Sequence, residues 1–560
     1  MRQSVVFYIY FLAVLILPSS LLAEEQIARG STYEVIELSF SGPELTPEDT
    51  PARDMDFRVL FEHESGLDSY RIHGFWDGDG NGGTNGDVFK LRFTPTAPGK
   101  WYLKQVISSD TLLDRQHEGD FVEVAWSDNP GFWQIDPHSI GQRWYMRSDD
   151  SHQYIFGNTH YSFLSGYGPD GKIQNPSIEE DIRGNAKYFK KLRFGLHGDY
   201  YPNPEVKPYF DSTGAQTDIG DYSHRPNPAW FHNRVDLAVQ TASEEDLIAD
   251  LILAGPDTEN SRATLRAAFN DGDPEPYLKY IAARYGSYPN VWICLSNEYN
   301  IRTPQYSERE ITRFGQIIRQ YLPYSTPLSV HASPPILWAT AFDTLPPWND
   351  HQIIQKKLKT MNPAADMIQQ TRDNPGGQYP RHQPIINDEL SYQGAGDGHN
   401  EEDTIEAMLG AFLGGGYASG GYKPGSKTGQ YFIGDFDPSE HTAADNLLWL
   451  RKIIDSKVSF WNLEPNHRIF RNLHNDFRAM AWEETEYVLG TNRAMEDLIA
   501  NLPEGSWVVT RYDVIAKEAL VIARDVAGEF RFESPDSRAV LFHFVNESAN
   551  GTRTGFNYFP

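Results

Sequence analysis

The sequence predicts an α/β protein built on a (β/α)8 TIM barrel, flanked by an N-terminal β-sandwich and a small C-terminal β-sandwich. Three observations carry that expectation. Up to about residue 125, apolar residues recur at every second position, the mark of half-buried strands. From about residue 150 to 460, short apolar runs alternate with helical segments, the pattern of a parallel sheet covered by helices. Beyond residue 465 the period of two returns. The boundaries read as a signal peptide over 1–23, a sandwich over 24–130, the barrel over 131–465 and a second sandwich over 466–560.

The first segment has the form of an export signal: Met1-Arg2 gives a basic start, Val5 to Pro18 is apolar, and Ser19 to Ala23 ends in a small residue. A mature chain beginning near Glu24 is expected, secreted or periplasmic. No later stretch offers the roughly 20 apolar residues of a membrane span. In the N-terminal region Phe57, Val59 and Phe61 share a face. The same alternation returns at Phe89 to Phe93 and Trp101 to Leu103, separated by Gly-, Pro- and Asp-rich turns.

For the barrel, eight strands are expected at Tyr154–Asn158, Leu192–His197, Leu247–Leu253, Val291–Ser296, Leu328–His331, Met367–Gln370, Pro384–Asn387 and Gly415–Gly421. Ser177 with Glu180 and Ser307 with Glu310 have the spacing of capping boxes that start helices. Eight strand-plus-helix units over this length fit one barrel, with a doubly wound open sheet as the competing arrangement. In the last region Trp507–Tyr512, Phe530–Phe532 and Val540–Phe544 are the strand candidates.

Lys and Arg number 49 against 77 Asp and Glu, a net charge of −28 that repels nucleic acid and anionic membranes. The single cysteine, Cys294, excludes an internal disulfide framework and reads as a core residue within an apolar strand.

Barrel enzymes carry their reactive groups just beyond the C-terminal ends of strands. The fourth strand delivers Asn297-Glu298 there, and the seventh delivers Asp388-Glu389. Two carboxylates from opposite sides of a barrel can face each other across its mouth. Glycoside hydrolysis needs such a pair, one acid to protonate the leaving oxygen and one carboxylate to meet the oxocarbenium-like centre. Alternation along a strand lets only one of Asp388 and Glu389 point into the mouth.

Asn297-Glu298 after strand four and Glu389 after strand seven resemble the pattern of the clan A retaining barrel glycosidases. That resemblance implies Glu298 as acid/base, Glu389 as nucleophile, and Asn297 as a contact to the sugar 2-hydroxyl. His73 to Gly78, followed by Phe89 to Phe93 and Pro98 to Tyr102, resembles the domain of unknown function DUF5060 that precedes such barrels. Tyr277 to Gly286 leading into Val291-Trp292, and Gly157 to Tyr161, resemble DUF4038 barrels. Thr510 to Asp513 with Gly528 to Phe530 resembles the small sandwich that often follows them. Related barrels act on varied plant and algal glycans, so the resemblance implies a β-linked polysaccharide or oligosaccharide without fixing the sugar.

Further substrate-binding candidates at strand ends are His160, His197, Asp199, His331, Tyr392 and Tyr422, with Trp338 as a sugar platform. No cofactor or metal is required by a two-carboxylate mechanism. Asp77 to Gly82 begins like an EF-hand loop, but Val88 stands where the bidentate Glu belongs. Gly420 to Gly425 has P-loop spacing with Ser426 in place of the lysine. A glycan-binding protein on a decayed barrel and a polysaccharide lyase are the alternatives to a hydrolase.

Overall fold

The computed structural model describes residues 24–168, 172, 177–197, 201–218, 225–255, 264–265, 273–301, 305–333, 347–373, 382–394, 398–422, 436–535 and 537–549. Residues 1–23, where a signal peptide is expected, and Asp199 and Trp338 lie outside the described residues. No described helix is long and apolar enough to cross a membrane.

The N-terminal region is two facing sheets. One orders its strands Gln26–Ser31, Phe121–Ala125, Gly99–Ser108, Phe57–His63 and Ser69–His73; the other Ile36–Leu45, Gly86–Phe93 and Phe75–Trp76. Their pairing is antiparallel except at Gln26–Ser31, which runs parallel to Phe121–Ala125. The alternation seen in the sequence places Val59, Phe61, Leu91, Phe93, Trp101 and Leu103 in a fully buried core, and the Phe61 and Phe93 rings stack at 4.1 Å.

Eight parallel strands form the barrel: β1 Phe156–Thr159, β2 Lys191–Gly195, β3 Ile248–Ile252, β4 Val291–Cys294, β5 Leu328–Ser329, β6 Gln352–Ile354, β7 Ile385–Gln393 and β8 Tyr417–Tyr422. The order β5-β4-β3-β2-β1-β8-β7-β6 is continuous, and Asp350 N donates to Leu328 O at 2.8 Å across the remaining seam. The covering helices are α1 Ile178–Ala186, α2 Leu237–Glu244, α3 Glu275–Tyr285, α4 Glu308–Tyr321, α5 Met361–Asp373, α6 Glu401–Leu413 and α7 Ala443–Lys457. Ser307 and Glu310 form the full reciprocal capping box of α4, whereas Ser177 caps α1 by accepting from Glu180 N at 3.2 Å.

One expected strand is corrected. Met367–Gln370 lies inside α5, where Met361, Ala364, Ala365 and Ile368 are buried at helical spacing. A four-residue apolar run does not by itself distinguish a strand from the buried stripe of a helix. The sixth strand is Gln352–Ile354, only three residues long and closed on both sides by polar residues.

The sandwich is fixed to the barrel by buried ions. Asp236 accepts from Arg92 and Arg284, each at 2.6 Å, and Arg284 also reaches Asp77 at 2.7 Å. Lys90 joins Asp77 to Glu37. The C-terminal region is a continuous sheet in which the long strands Met495–Asp513 and Glu518–Ser534 bend at several register shifts and enclose Trp507, Val509, Phe542 and Phe544. It rests on the barrel helices: Arg478 pairs with Asp366 of α5, and Asn446 of α7 donates to Val514 O and Ile515 O.

Candidate active site

The mouth is assembled from residues on or just beyond six strands, β1, β2, β4, β5, β6 and β7. Beyond β4 the chain runs through Leu295, Ser296 and Asn297 to Glu298, whose φ of 44° is left-handed. A non-glycine residue there is held against a local preference for right-handed or extended backbone. Asn297 N donates to Ala254 O at 2.8 Å and His331 N to Ser296 O at 3.0 Å, which ties this turn to its neighbours on both sides.

β7 supplies the opposite wall. Its ladder to β8 shifts register between Asn387 and Ser391, a bulge that breaks the alternation. Asp388 and Glu389 are therefore both buried and both directed into the barrel, where alternation predicts one. Asp388 accepts from Lys191 Nζ at 2.5 Å and Ser419 Oγ at 2.6 Å. Glu389 accepts from Tyr161 Oη at 2.5 Å through Oε1 and from Gln355 Nε2 at 2.8 Å through Oε2. The same Gln355 nitrogen donates to Glu298 Oε1 at 2.5 Å. One amide nitrogen thus touches both glutamates.

Arg193 of β2 is the cation at the centre. Its Nη1 donates to Tyr161 Oη at 2.8 Å and lies 3.7 Å from Glu389 Oε1. Its Nη2 donates to His331 Nδ1 at 2.7 Å and to Asn297 Oδ1. Burial and the adjacent Arg193 push the His331 imidazole well below its ordinary range, and its Nδ1 meets both Arg193 Nη2 and Asn297 Oδ1. Beneath, Lys191 bridges Asp388 and Asp250 at 2.5 and 2.9 Å. Burial would raise Asp388, but Lys191 and Arg193 outweigh it and hold this carboxyl far below the usual range. Asp250 moves the other way, raised by burial and opposed by Lys191. Glu389 is also raised, first by burial and then by the negative charge of Glu298.

Of the residues singled out in the sequence, Glu298, Glu389, Asn297 and His331 come together here. His160 does not join them; its Nδ1 bonds Asp181 of α1 at 2.6 Å, behind the strand. His197 Nε2 bonds Leu253 O at 3.1 Å beside Tyr209, and burial lowers its pKa to about 4. Tyr392 is buried, its ring 4.9 Å from Lys357 Nζ, and clusters with Tyr161, Ile252, Cys294 and Ile353. Tyr422 is half-buried and stacks on His441 at 6.1 Å. Cys294 is a buried free thiol that burial pushes up to about 12, as a core residue would be. Asp77 is spent on Lys90 and Arg284, and Asp79 accepts from Asn81 N and Gly83 N at 2.8 Å, an ordinary turn. Among the described residues no cluster of His, Cys, Asp and Glu is arranged to hold a metal.

Arg193, Tyr161, Lys191 and Gln355 were not anticipated. Lys191 and Arg193 carried a signal: two cations at alternate positions of an otherwise apolar parallel strand have to be paired inside. Gln355 carried none, because its strand was misplaced.

Comparison with known proteins bears on both regions. Residues 30–107 match the DUF5060 family model, and residues 199–409 match the model described as apiosidase-like, catalytic domain. The second match includes Asn297, Glu298, Gln355 and Glu389. A solved candidate glycoside hydrolase from Bacteroides vulgatus is similar over 93% of this chain and 100% of its own, at 19% identity and a TM-score of 0.69. A family 5 glycoside hydrolase from the same organism is similar over 77% of this chain and 96% of its own, at 11% identity and a TM-score of 0.58. At these identities the likeness establishes the fold, which is that of glycoside hydrolase barrels. A search of curated proteins returns no match.

Proposed function

We propose that the protein hydrolyses glycosidic bonds with retention of configuration, Glu389 acting as nucleophile and Glu298 as acid/base. The observation that carries this is the shared contact to Gln355 Nε2, which puts the two carboxylates within reach of one atom. Such closeness suits direct attack, which uses a separation of about 5–5.5 Å; inverting enzymes leave about 6.5–9.5 Å for a water. The two groups form a coupled pair in which like charges oppose full ionisation. Tyr161 and the charge of Arg193 act on Glu389 alone and favour its ionised form, and in this reading the proton of the pair is carried by Glu298. Glu298 gives that proton to the leaving oxygen while Glu389 bonds the anomeric carbon. Once Glu389 is esterified, Glu298 takes a proton from a water whose oxygen bonds the anomeric carbon, and the bond to Glu389 breaks to release the sugar. Asn297, held by Arg193, is placed to meet a sugar hydroxyl beside the reacting centre.

The substrate is a β-linked plant or algal glycan, and the apiosidase-like match puts glycans bearing a terminal branched pentose first in any panel. The basic start and apolar run of the first 23 residues support export before action on such a polymer. Proton NMR of the first-formed anomer, with Glu389→Ala as control, tests this reading. Release of the retained anomer by the wild type alone is expected. The inverted anomer, or turnover by the variant, sinks it.

A further inference from the structure

We infer that Gln355 is the positioning residue of the carboxylate pair, its amide fixing the spacing of Glu298 and Glu389 and opposing their protonation. The inference rests on the hydrolytic reading above for its consequences in catalysis. Its geometric basis is independent of that reading.

Gln355 follows β6 directly, after a strand whose three residues are all buried. The next residue is pegged to the wall that carries the nucleophile: Asn387 Nδ2 donates to Lys356 O at 2.9 Å, and Lys356 N donates to Asn387 Oδ1 at 3.3 Å. Asn387 stands two residues before Glu389. The backbone at the end of β6 is therefore held in register with β7, and the Gln355 side chain has a defined origin.

Its orientation follows from chemistry. An ionised carboxylate only accepts, so the amide presents its NH2 group to Glu389, and the same nitrogen reaches Glu298 Oε1. The two hydrogens of that group serve two different glutamates. Its Oε1 has no hydrogen-bond partner among the described residues, so the amide is anchored at the nitrogen end alone. Protonating the accepting oxygen of either glutamate destroys one of these bonds, so the amide stabilises the charged form of both. It works against the burial and mutual repulsion that push Glu389 upward. It also bridges groups that would otherwise move apart.

Gln355→Met keeps length and bulk and removes the donor. In this variant the acidic limb of the kcat/KM profile should move up by about one pH unit, with kcat falling more than KM rises. Gln355→Asn keeps the amide but is one carbon too short to reach both glutamates, and should shift the limb in the same direction. A merely structural role would lower stability and leave the limbs in place, which overturns the inference. Carbon-13 titration of carboxyl-labelled glutamates reads the pair without catalysis, with signals assigned by Glu298→Gln and Glu389→Gln. The pair's apparent values should rise in Gln355→Met, and unchanged values overturn the inference. Turnover by Glu389→Ala would instead overturn the hydrolytic reading and leave the titration to decide the role of Gln355.

Discussion

Two buried ion clusters use the same ingredients to different ends. At the junction of sandwich and barrel, Lys90, Arg92 and Arg284 face Glu37, Asp77 and Asp236. At the barrel mouth, Lys191 and Arg193 face Asp250, Asp388, Glu389 and Glu298. Charges match in the first cluster. Burial would raise Asp77 and Asp236, but the arginines prevail and both are held below the usual carboxylate range. In the second, acids outnumber cations, and the carboxyls separate: Asp388 is driven down while Asp250 and Glu389 are driven up. A balanced cluster joins two domains. An unbalanced one leaves a carboxylate pair whose protonation the surroundings decide, as acid–base chemistry requires.

Activity and stability should respond in opposite ways in the two places. Glu389→Ala should reduce turnover by on the order of 10⁴-fold or more. Its melting temperature should hold or rise, because the variant removes a buried carboxylate facing another acid. Asp236→Ala should instead cost about 3–5 kcal/mol of stability, since it leaves two buried guanidinium groups short of a partner. The protein that remains folded should turn over at the wild-type rate. Chemical denaturation and initial rates on the same preparations check both. If Asp236→Ala proves as stable as wild type while Glu389→Ala unfolds early, the contrast between the clusters is wrong.

Most of the strands and the two glutamates were legible in the sequence, the two ion clusters were not, and the difference has a physical cause. The change of hydrophobic period at either end of the barrel marks a switch from two-faced sheets to buried parallel strands, and seven of the eight strands fall where apolar runs are dense. β6 escaped because three residues between polar neighbours carry no periodicity, while the stripe of α5 mimics a strand. Glu298 and Glu389 were readable because a strand end delivers them. The bulge that turns both Asp388 and Glu389 inward was not, since a register shift depends on how β7 meets β8. His160 and His197 illustrate the opposite failure: a polar residue at a strand end can be satisfied by a covering helix or a neighbouring strand's carbonyl as readily as within the mouth.

A smaller effect sharpens the contrast within the mouth. Tyr161 donates to Glu389, and Arg193 donates to Tyr161, so the hydroxyl passes part of the arginine's influence to Glu389. Tyr161→Phe removes a hydrogen bond to a charged group, with a cost of about 1.5–3 kcal/mol that should appear mainly in kcat. Loss of a donor to the ionised form raises the carboxyl further, so the acidic limb of the rate profile should move to higher pH. The equivalent step at the junction, Tyr324→Phe, removes a bond from the Tyr324 hydroxyl to Thr94 O and should leave the profile where it was. A shift in the second variant, or none in the first, would show that the limbs report global stability instead of the pair.

The smallest expected effect separates the clusters by sign. Glu389 has a folded pKa above its ordinary 4.5. Below 4.5 it is protonated whether the chain is folded or not, and nothing is lost. As the pH rises past 4.5 the unfolded chain ionises first, so the folded state is penalised until its own pKa is passed. Glu389→Gln lacks this penalty, and its melting temperature relative to wild type should climb from pH 4.5 upward and then level. Asp236 has a folded pKa below its ordinary 3.8. Its stabilisation is complete above that value and disappears as the pH falls toward the folded pKa, so the deficit of Asp236→Asn should narrow only in strong acid. Scanning calorimetry of the two variants beside wild type, from acid to neutral pH, should give difference curves of opposite slope in separate windows. Parallel curves would mean that the mouth is as well balanced in charge as the junction, and the pair would then lack the shared proton that its chemistry needs.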